Sequence, residues 1–247
     1  MPTVAELSAP YGNFMLGPRR GPAVCPVCFD LVGDDGRCYS CAHGGPPLDA
    51  VAPISYSVAG EQLHHALVSY KRMWGEPARH FELGLAAVLW RHLAAHEACL
   101  ARAAGVGANA FAVVTTVPSS WRERARTHPL QQLVGELVGP ARGRFTPVLE
   151  RTEVPADAHR FSEAKYAARA DLTGRSILLI DDTWTTGANA RSAAAALKAA
   201  GAGAVAALVI GRHVNRGWHH NDRQLRTLSQ PFDWERCAVC GEEKTPG

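Results

Sequence analysis

The sequence predicts an α/β protein in which a parallel sheet with flanking helices follows a small cysteine-rich module. Three observations support this prediction. An apolar strand, Ile177–Ile180, ends in two adjacent acids and a Thr-Thr-Gly turn, and an Ala-rich helix, Ala188–Ala200, follows. Two more apolar runs, Phe111–Val117 and Ala202–Ile210, have the composition of buried strands. Two Cys-x-x-Cys pairs precede all of these segments.

The overall composition is that of an ordinary globular protein. At 247 residues the chain can hold one medium α/β domain and a small appendage. Its 47% hydrophobic and 20% charged residues exclude a disordered chain, and a net charge of +3 is too small to indicate nucleic-acid binding by itself. With no apolar run of membrane-spanning length and no secretory signal, we expect a cytoplasmic protein without membrane insertion.

The remaining elements follow from local patterns. Apolar residues at helical spacing predict helices, and β-branched or alternating runs predict short strands. The expected helices are Val4–Ser8, Glu61–Arg72, Glu76–Ala104 (as one long helix or two) and His128–Val138. The expected additional strands are a half-buried Ala52–Val58 and Thr146–Leu149. Arg151–Asp171 is a polar segment, expected as a long loop. We divide the chain into a lead-in, cysteine module and linker (1–50), the α/β domain (51–213) and a tail (214–247).

Six of the seven cysteines form three Cys-x-x-Cys pairs, which in a cytosolic chain indicate metal or redox chemistry. The first two pairs are separated by a short Gly-containing segment and predict a zinc ribbon, in which four thiolates hold a structural zinc ion. Its ligands would be Cys25, Cys28, Cys38 and Cys41. A thioredoxin-like site is disfavoured because no strand precedes the first pair.

The third pair, Cys237 and Cys240, has no partner pair nearby in sequence. It could form a second site with a histidine, fold back into the first site, or be a free tail pair. The histidines considered are His213, His219 and His220. Cys99 is expected in a helix core, and the histidines of the predicted helices, including His92 and His96, as packing or surface residues.

The turn after Ile177–Ile180 predicts a binding site. A strand's carboxyl end is where open α/β sheets bind ligands, and a helix N-terminus with small residues before it attracts a phosphate. Asp181 and Asp182 can accept hydrogen bonds from two vicinal hydroxyls, so the expected ligand is a ribose 5-phosphate. An Asp N-cap is the simpler alternative, but it would need one carboxylate only. The expected substrate-binding residues here are Asp181, Asp182, Thr183, Thr185, Thr186, Gly187 and Ala188.

The run from Asp181 to Gly187 resembles the phosphoribosyl-pyrophosphate (PRPP) signature of the type I phosphoribosyltransferases. The resemblance implies that family's fold, with the two acids on the ribose hydroxyls, the Thr-Thr-Gly turn on the 5-phosphate, and Mg²⁺ bound with PRPP. Thr183 stands where the family commonly has a branched apolar residue, and Trp184 is expected at the loop surface.

Two other loops gain roles from this resemblance. Pro118 is followed by two serines and then by arginines at 122, 124 and 126; the resemblance implies that Ser119 and Ser120 contact the pyrophosphate. A solvated basic turn is the alternative. The polar segment corresponds to a flexible loop of the family that closes over the pyrophosphate. The resemblance implies that Lys165 and Arg160 neutralise pyrophosphate charge there, and that Lys165 is a catalytic residue together with the two acids.

A zinc ribbon ahead of such a domain resembles the ComF family, whose best-known members serve DNA uptake in competent bacteria. The similarity spans nearly the full chain and includes Tyr70-Lys71-Arg72, but Arg124–Leu130 departs from the Arg-Gly-Phe-Asn-like stretch of many members. The resemblance implies an enzyme that transfers phosphoribosyl from Mg²⁺–PRPP to an acceptor and releases pyrophosphate. The alternative is a non-catalytic protein that binds a nucleotide, single-stranded DNA or a competence helicase. The zinc ribbon, Lys71, Arg72 and the arginines at 122, 124 and 126 would then contact the DNA strand or the partner.

Overall fold

The computed structural model describes residues 2–33, 36–46, 48–119, 128–157, 159–218, 220–228 and 231–240. The strands are β1 (Ala50–Val58), β2 (Val113–Thr116), β3 (Leu149–Arg151), β4 (Tyr166–Ala168), β5 (Ser176–Trp184) and β6 (Ala204–Val214). The helices are α1 (Val4–Ser8), α2 (Tyr39–His43), α3 (Gln62–Arg72), α4 (Glu76–Ala103), α5 (Pro129–Gln132), α6 (Gly139–Arg142), α7 (Ala188–Ala199) and α8 (Asn221–Leu225). Among the described helices, none is both long and apolar enough to cross a membrane.

Four strands form the main sheet, in the order β1-β6-β5-β2, and every neighbouring pair is parallel. Both faces are covered, as parallel sheets require. In β5, Leu178 and Ile180 pack in a core with residues of α3 and α4, whereas Ile177 and Leu179 pack in a second core with residues of α7. The predicted α/β class with a parallel sheet is therefore confirmed.

The N-terminal lead-in contributes to the same core as the sheet. Thr3 caps α1 through a capping box with Glu6, and a 3₁₀ turn, Ala9–Asn13, follows. Tyr11 and Met15 are buried in the core that contains α3 and α4. This segment therefore covers the sheet instead of trailing from it.

Three expectations about elements need correction. The first strand is buried along almost its whole length, not half-buried, because β6 and helices enclose it. The expected helix His128–Val138 is a single α-helical turn, α5, followed by a π-helical turn, Leu133–Leu137. The polar segment is partly regular, since a 3₁₀ turn (Glu163–Lys165) leads into β4, which pairs antiparallel with β3.

Candidate functional site

A cleft of about 440 Å³ opens at the carboxyl edge of the main sheet. It lies between the end of α3, the segment after β2, the end of β5, the first turn of α7 and the end of β6. Its polar lining residues include His64, Tyr70, Lys71, Arg72, Ser119, His128, Gln131, Asp181, Asp182, Thr183, Thr185, Asn189 and His213. Because β2, β5 and β6 are parallel, their carboxyl ends meet here, as the position of the signature led us to expect.

Asp182 is held by two side chains from the end of α3. The Tyr70 hydroxyl donates to Asp182 Oδ2, and the Lys71 ammonium lies 2.5 Å from Asp182 Oδ1. Asp182 is only 8% exposed, so this pairing compensates for the loss of water around its carboxylate. Lys71, which the DNA-binding alternative assigned to a nucleic-acid strand, is therefore engaged inside the cleft.

Asp181 lies beside this pair and has a perturbed acidity. Its Oδ1 accepts a hydrogen bond of 2.9 Å from the Asp182 backbone N–H. Burial, and then the negative charge of Asp182, raise the pKa of Asp181 to about 8, although the Lys71 ammonium acts in the opposite direction. The cleft therefore places one carboxyl that readily holds a proton next to one that is neutralised by an ammonium.

The turn between β5 and α7 is shaped by a glycine packed on a tryptophan. Gly187 has φ +77° and begins α7, and a Cβ at this position would come within 2.1 Å of the Trp184 ring. Trp184 is 2% exposed, so the expectation that it lies at the loop surface is wrong. Its ring packs against the turn instead. The Thr186 hydroxyl accepts a hydrogen bond of 3.3 Å from the Ala188 N–H.

Five of the predicted ligand-binding residues line the same cleft: Ser119, Asp181, Asp182, Thr183 and Thr185. Thr186, Gly187 and Ala188 form the turn immediately beside them. Ser120 and the arginines at 122, 124 and 126 lie outside the described residues. The predicted residues from β2 and β5 thus come together around one opening, within the part of the chain that the structure describes.

Lys165 is not among the residues that line the cleft. It is 1% exposed, and its ammonium donates to the carbonyls of Asp157 (2.9 Å) and Arg160 (2.8 Å) and to Asn189 Oδ1 (3.1 Å). Burial lowers the pKa of Lys165. In this arrangement Lys165 fastens the polar segment to α7, and Asn189 is its link to the cleft. Arg160 is exposed and pairs with Asp157 at 3.7 Å.

Several cleft residues have a place in the site that was not predicted from the sequence. Tyr70 and Lys71 reach Asp182 from more than 100 positions away, so no local pattern contained their role. His213 could have been found, because it follows the apolar core of β6 just as Asp181 follows that of β5. Its ring lies 5.4 Å from that of His64, and burial lowers its pKa.

The first four cysteines form a cluster that could hold a metal ion such as zinc. The Sγ atoms of Cys25, Cys28, Cys38 and Cys41 all lie within 4.8 Å of one another. The first knuckle turns at Phe29, which has φ +61° and donates its N–H to the Cys25 carbonyl at 3.0 Å. The expectation that these four cysteines come together in a cluster that could bind a metal is confirmed.

Two buried arginines connect this cluster to the sheet domain. Arg191 of α7, 2% exposed, donates to Cys41 Sγ at 2.9 Å and to the Ser40 carbonyl at 2.6 Å. Arg212 of β6, 3% exposed, pairs with Asp30 at 2.8 Å and lies 3.9 Å from Cys28 Sγ. Four thiolates on a divalent ion carry a net charge of about −2, which these two guanidinium groups would offset in part, since Arg212 also pairs with Asp30.

The third cysteine pair belongs to a group of possible metal ligands that is separate from the first cluster. Cys237 and Cys240 lie with His96 and Cys99 of α4, and the four ligand atoms are all within 4.8 Å of one another. A second site that includes a histidine was one of the three arrangements considered for this pair, and the histidine in this group is His96, not His213 or His220. Cys99 and His96, expected as core and packing residues, also belong to the group. His219 lies outside the described residues.

Comparison with known proteins adds no assignment to this site. None of the protein-family models matches the chain, and no curated protein matches it. The type I phosphoribosyltransferase and ComF resemblances therefore rest on the residues quoted for them.

Proposed function

We propose that the protein binds Mg²⁺–PRPP in the cleft and transfers its phosphoribosyl group to an acceptor, as a cytoplasmic enzyme with the type I phosphoribosyltransferase fold. One observation carries the proposal. The Asp181–Asp182 pair and the turn that starts α7 lie together at the carboxyl edge of a parallel sheet, beside a cleft of about 440 Å³. A diol-binding pair next to a helix N-terminus fits a ribose 5-phosphate.

In this proposal each residue of the site has a role. Asp181 and Asp182 accept hydrogen bonds from the ribose hydroxyls, and the N–H groups at the start of α7, with the Thr185 hydroxyl, bind the 5-phosphate. Ser119 and the Lys71 ammonium, at the neighbouring wall, face the pyrophosphate. Mg²⁺ is held mainly by ligand oxygens and water, as this ion prefers.

In the transfer, the acceptor's nucleophilic atom forms a bond to the anomeric carbon while the bond from that carbon to the pyrophosphate oxygen breaks. Pyrophosphate leaves with the bonding electron pair, and the acceptor's proton passes to solvent. The protein's contribution is to hold the two reactants in line and to stabilise charge on the leaving group. The cleft's combination of carboxylates, a lysine and a helix N-terminus supplies these groups.

We also propose that the four N-terminal cysteines hold a structural zinc ion. Closed Cys₄ sites of this kind stabilise small modules that have little core of their own. The support is the mutual distance of the four sulfurs and the two buried arginines beside them.

Calorimetric titration with Mg²⁺–PRPP tests the main proposal. Asp181→Asn with Asp182→Asn should weaken binding at least about a hundredfold, since each hydrogen bond to a charged group is worth about 1.5–3 kcal/mol. A matched control, Glu150→Gln with Asp222→Asn, removes two carboxylates from surface ion pairs and should bind like the wild type.

Transfer is then tested by screening purine and pyrimidine bases for pyrophosphate release. Unchanged PRPP affinity in the double Asp variant would remove the site assignment. Binding of PRPP without pyrophosphate release for any base would support PRPP as the ligand and contradict the transferase activity.

A further inference from the structure

We propose that His96, Cys99, Cys237 and Cys240 form a second metal site, a tetrahedral zinc centre that fastens the C-terminal segment to α4. The proposal does not depend on PRPP binding. Three sulfurs and one imidazole nitrogen make a Cys₃His set, which is a standard composition for structural zinc. The four residues come from two segments separated by more than 130 positions.

The distances suit a tetrahedron. With Zn–S near 2.3 Å and Zn–N near 2.0 Å, ligand atoms at the corners of a tetrahedron are roughly 3.5–3.8 Å apart. Cys240 Sγ lies 3.9 Å from His96 Nδ1, and all four ligand atoms lie within 4.8 Å of one another. Small side-chain rotations therefore suffice to close the site around an ion.

The backbone on both sides presents these ligands in the required way. His96 and Cys99 are three residues apart on α4, so they lie on one helix face. In the tail, the Cys237 N–H donates to Cys240 Sγ at 3.0 Å, and the Cys240 N–H donates to Cys237 Sγ at 3.2 Å. Such N–H donors orient the sulfurs and stabilise thiolate charge.

The orientation of His96 also favours a ligand role. Its Nε2 lies 2.9 Å from the Trp234 carbonyl oxygen. A carbonyl can only accept, so Nε2 carries the proton and Nδ1 presents its lone pair toward Cys240. A metal-binding histidine commonly donates its other N–H to a carbonyl, which fixes the ring and its tautomer.

The tail reaches this position through its own contacts with the core. The Phe232 N–H donates to the Gly12 carbonyl at 2.8 Å, and the Phe232 ring packs edge-on against Trp234. The Arg91 guanidinium lies 4.2 Å above the Trp234 ring. Cys237 is 4% exposed, so its thiol is enclosed between tail and helix. A bound metal ion would therefore stabilise a position that the C-terminal segment already occupies.

Metal counting by native mass spectrometry, on protein purified under reducing conditions, tests the proposal. The wild type should carry two zinc ions per chain. Cys237→Ser with Cys240→Ser should carry one, and Cys25→Ser with Cys28→Ser should lose the other. A matched control, His92→Asn, removes an imidazole one helical turn from His96 and should keep both ions.

A second variant guards against loss of folding. His96→Cys converts the site to four thiolates and should keep two ions, whereas His96→Ala should lose one. In cobalt-substituted protein, His96→Cys should change the ligand-field spectrum toward that of an all-thiolate site.

Proteolysis supplies an independent measure. Arg236 is exposed and directly precedes Cys237, so a chelator should accelerate tryptic cleavage there in the wild type but not in Cys237→Ser with Cys240→Ser. The proposal is overturned if the wild type and that double variant carry the same number of ions. It is equally overturned if thiol titration finds Cys237 and Cys240 joined in a disulfide under reducing conditions.

Discussion

At the scale of single residues, the turn between β5 and α7 depends on Gly187. Its φ of +77° and its contact with the Trp184 ring leave no space for a side chain. Gly187→Ala should lower stability by about 1–3 kcal/mol through backbone strain, with an additional loss from displacement of the ring. It should also weaken PRPP binding, because the start of α7 shifts. Thermal unfolding and calorimetric titration measure the two effects.

The control for this variant is Gly107→Ala, since a Cβ at Gly107 meets open space. It should leave both unfolding and PRPP binding nearly unchanged. Equal behaviour of the two variants would show that the turn tolerates a side chain, against the packing described for Trp184.

Asp181 predicts a dependence of stability on pH. In the unfolded chain its carboxyl titrates near 3.8, whereas in the folded protein the pKa is raised to about 8. Between these values the unfolded state binds fewer protons than the folded state, so stability falls as pH rises, by about 1.4 kcal/mol per pH unit at most. Asp181→Asn should remove this loss, and its advantage in unfolding temperature should grow from pH 5 to pH 8.

Asp222→Asn is the comparison variant. The pKa of Asp222 is lowered by its ion pairs with Arg216 and Arg226. Its contribution to folding stability is therefore already fully present near pH 5. The difference between this variant and the wild type should be flat from pH 5 to pH 8. A flat difference for Asp181→Asn as well would contradict the raised pKa of that carboxyl.

At the scale of elements, Glu97 connects α4 to the sheet and to the segment after α6. It is 8% exposed and accepts from the Phe111 N–H at 3.0 Å and from both terminal nitrogens of Arg144, at 2.5 and 2.8 Å. Glu97→Gln should cost about 3 kcal/mol, because it leaves Arg144 without its charge partner. Urea unfolding measures the loss.

The exposed pair Glu150–Arg169 provides the matched control for this ion pair. Glu150→Gln should cost less than about 1 kcal/mol, as is usual for surface ion pairs. If both substitutions lower the free energy of unfolding by the same amount, burial does not explain the contribution of Glu97 to stability.

Elements also show what could and could not be predicted from the sequence. The β5 signature and α7 follow from a local pattern, and they were located within a few residues. The partners of Asp182 could not be predicted this way, because Tyr70 and Lys71 approach it through the packing of α3. The spacing of His96 and Cys99 is visible in the sequence, but these residues meet Cys237 and Cys240 only because the tail returns to α4.

At the scale of the whole molecule, packing crosses the boundaries that composition indicates. Met15 from the lead-in and Phe232 from the tail belong to the same core as Leu89 of α4. The cysteine module likewise shares a core with α7. Composition marks where a chain changes character, but it does not reveal which segments bury one another, and here the outer segments complete the central core.

The Arg191 side chain carries a consequence for the molecule as a whole. Besides Cys41, its guanidinium donates to the Thr186 carbonyl at 3.4 Å, and it lies 5.6 Å from the centre of the Trp184 ring. One cation is thus shared between the N-terminal thiolates and the turn proposed to bind phosphate. When those thiolates hold zinc, their negative charge keeps Arg191 in place. Substitution of Cys41 would remove one partner of this guanidinium, so a change at the cysteine cluster would reach the turn through a single side chain.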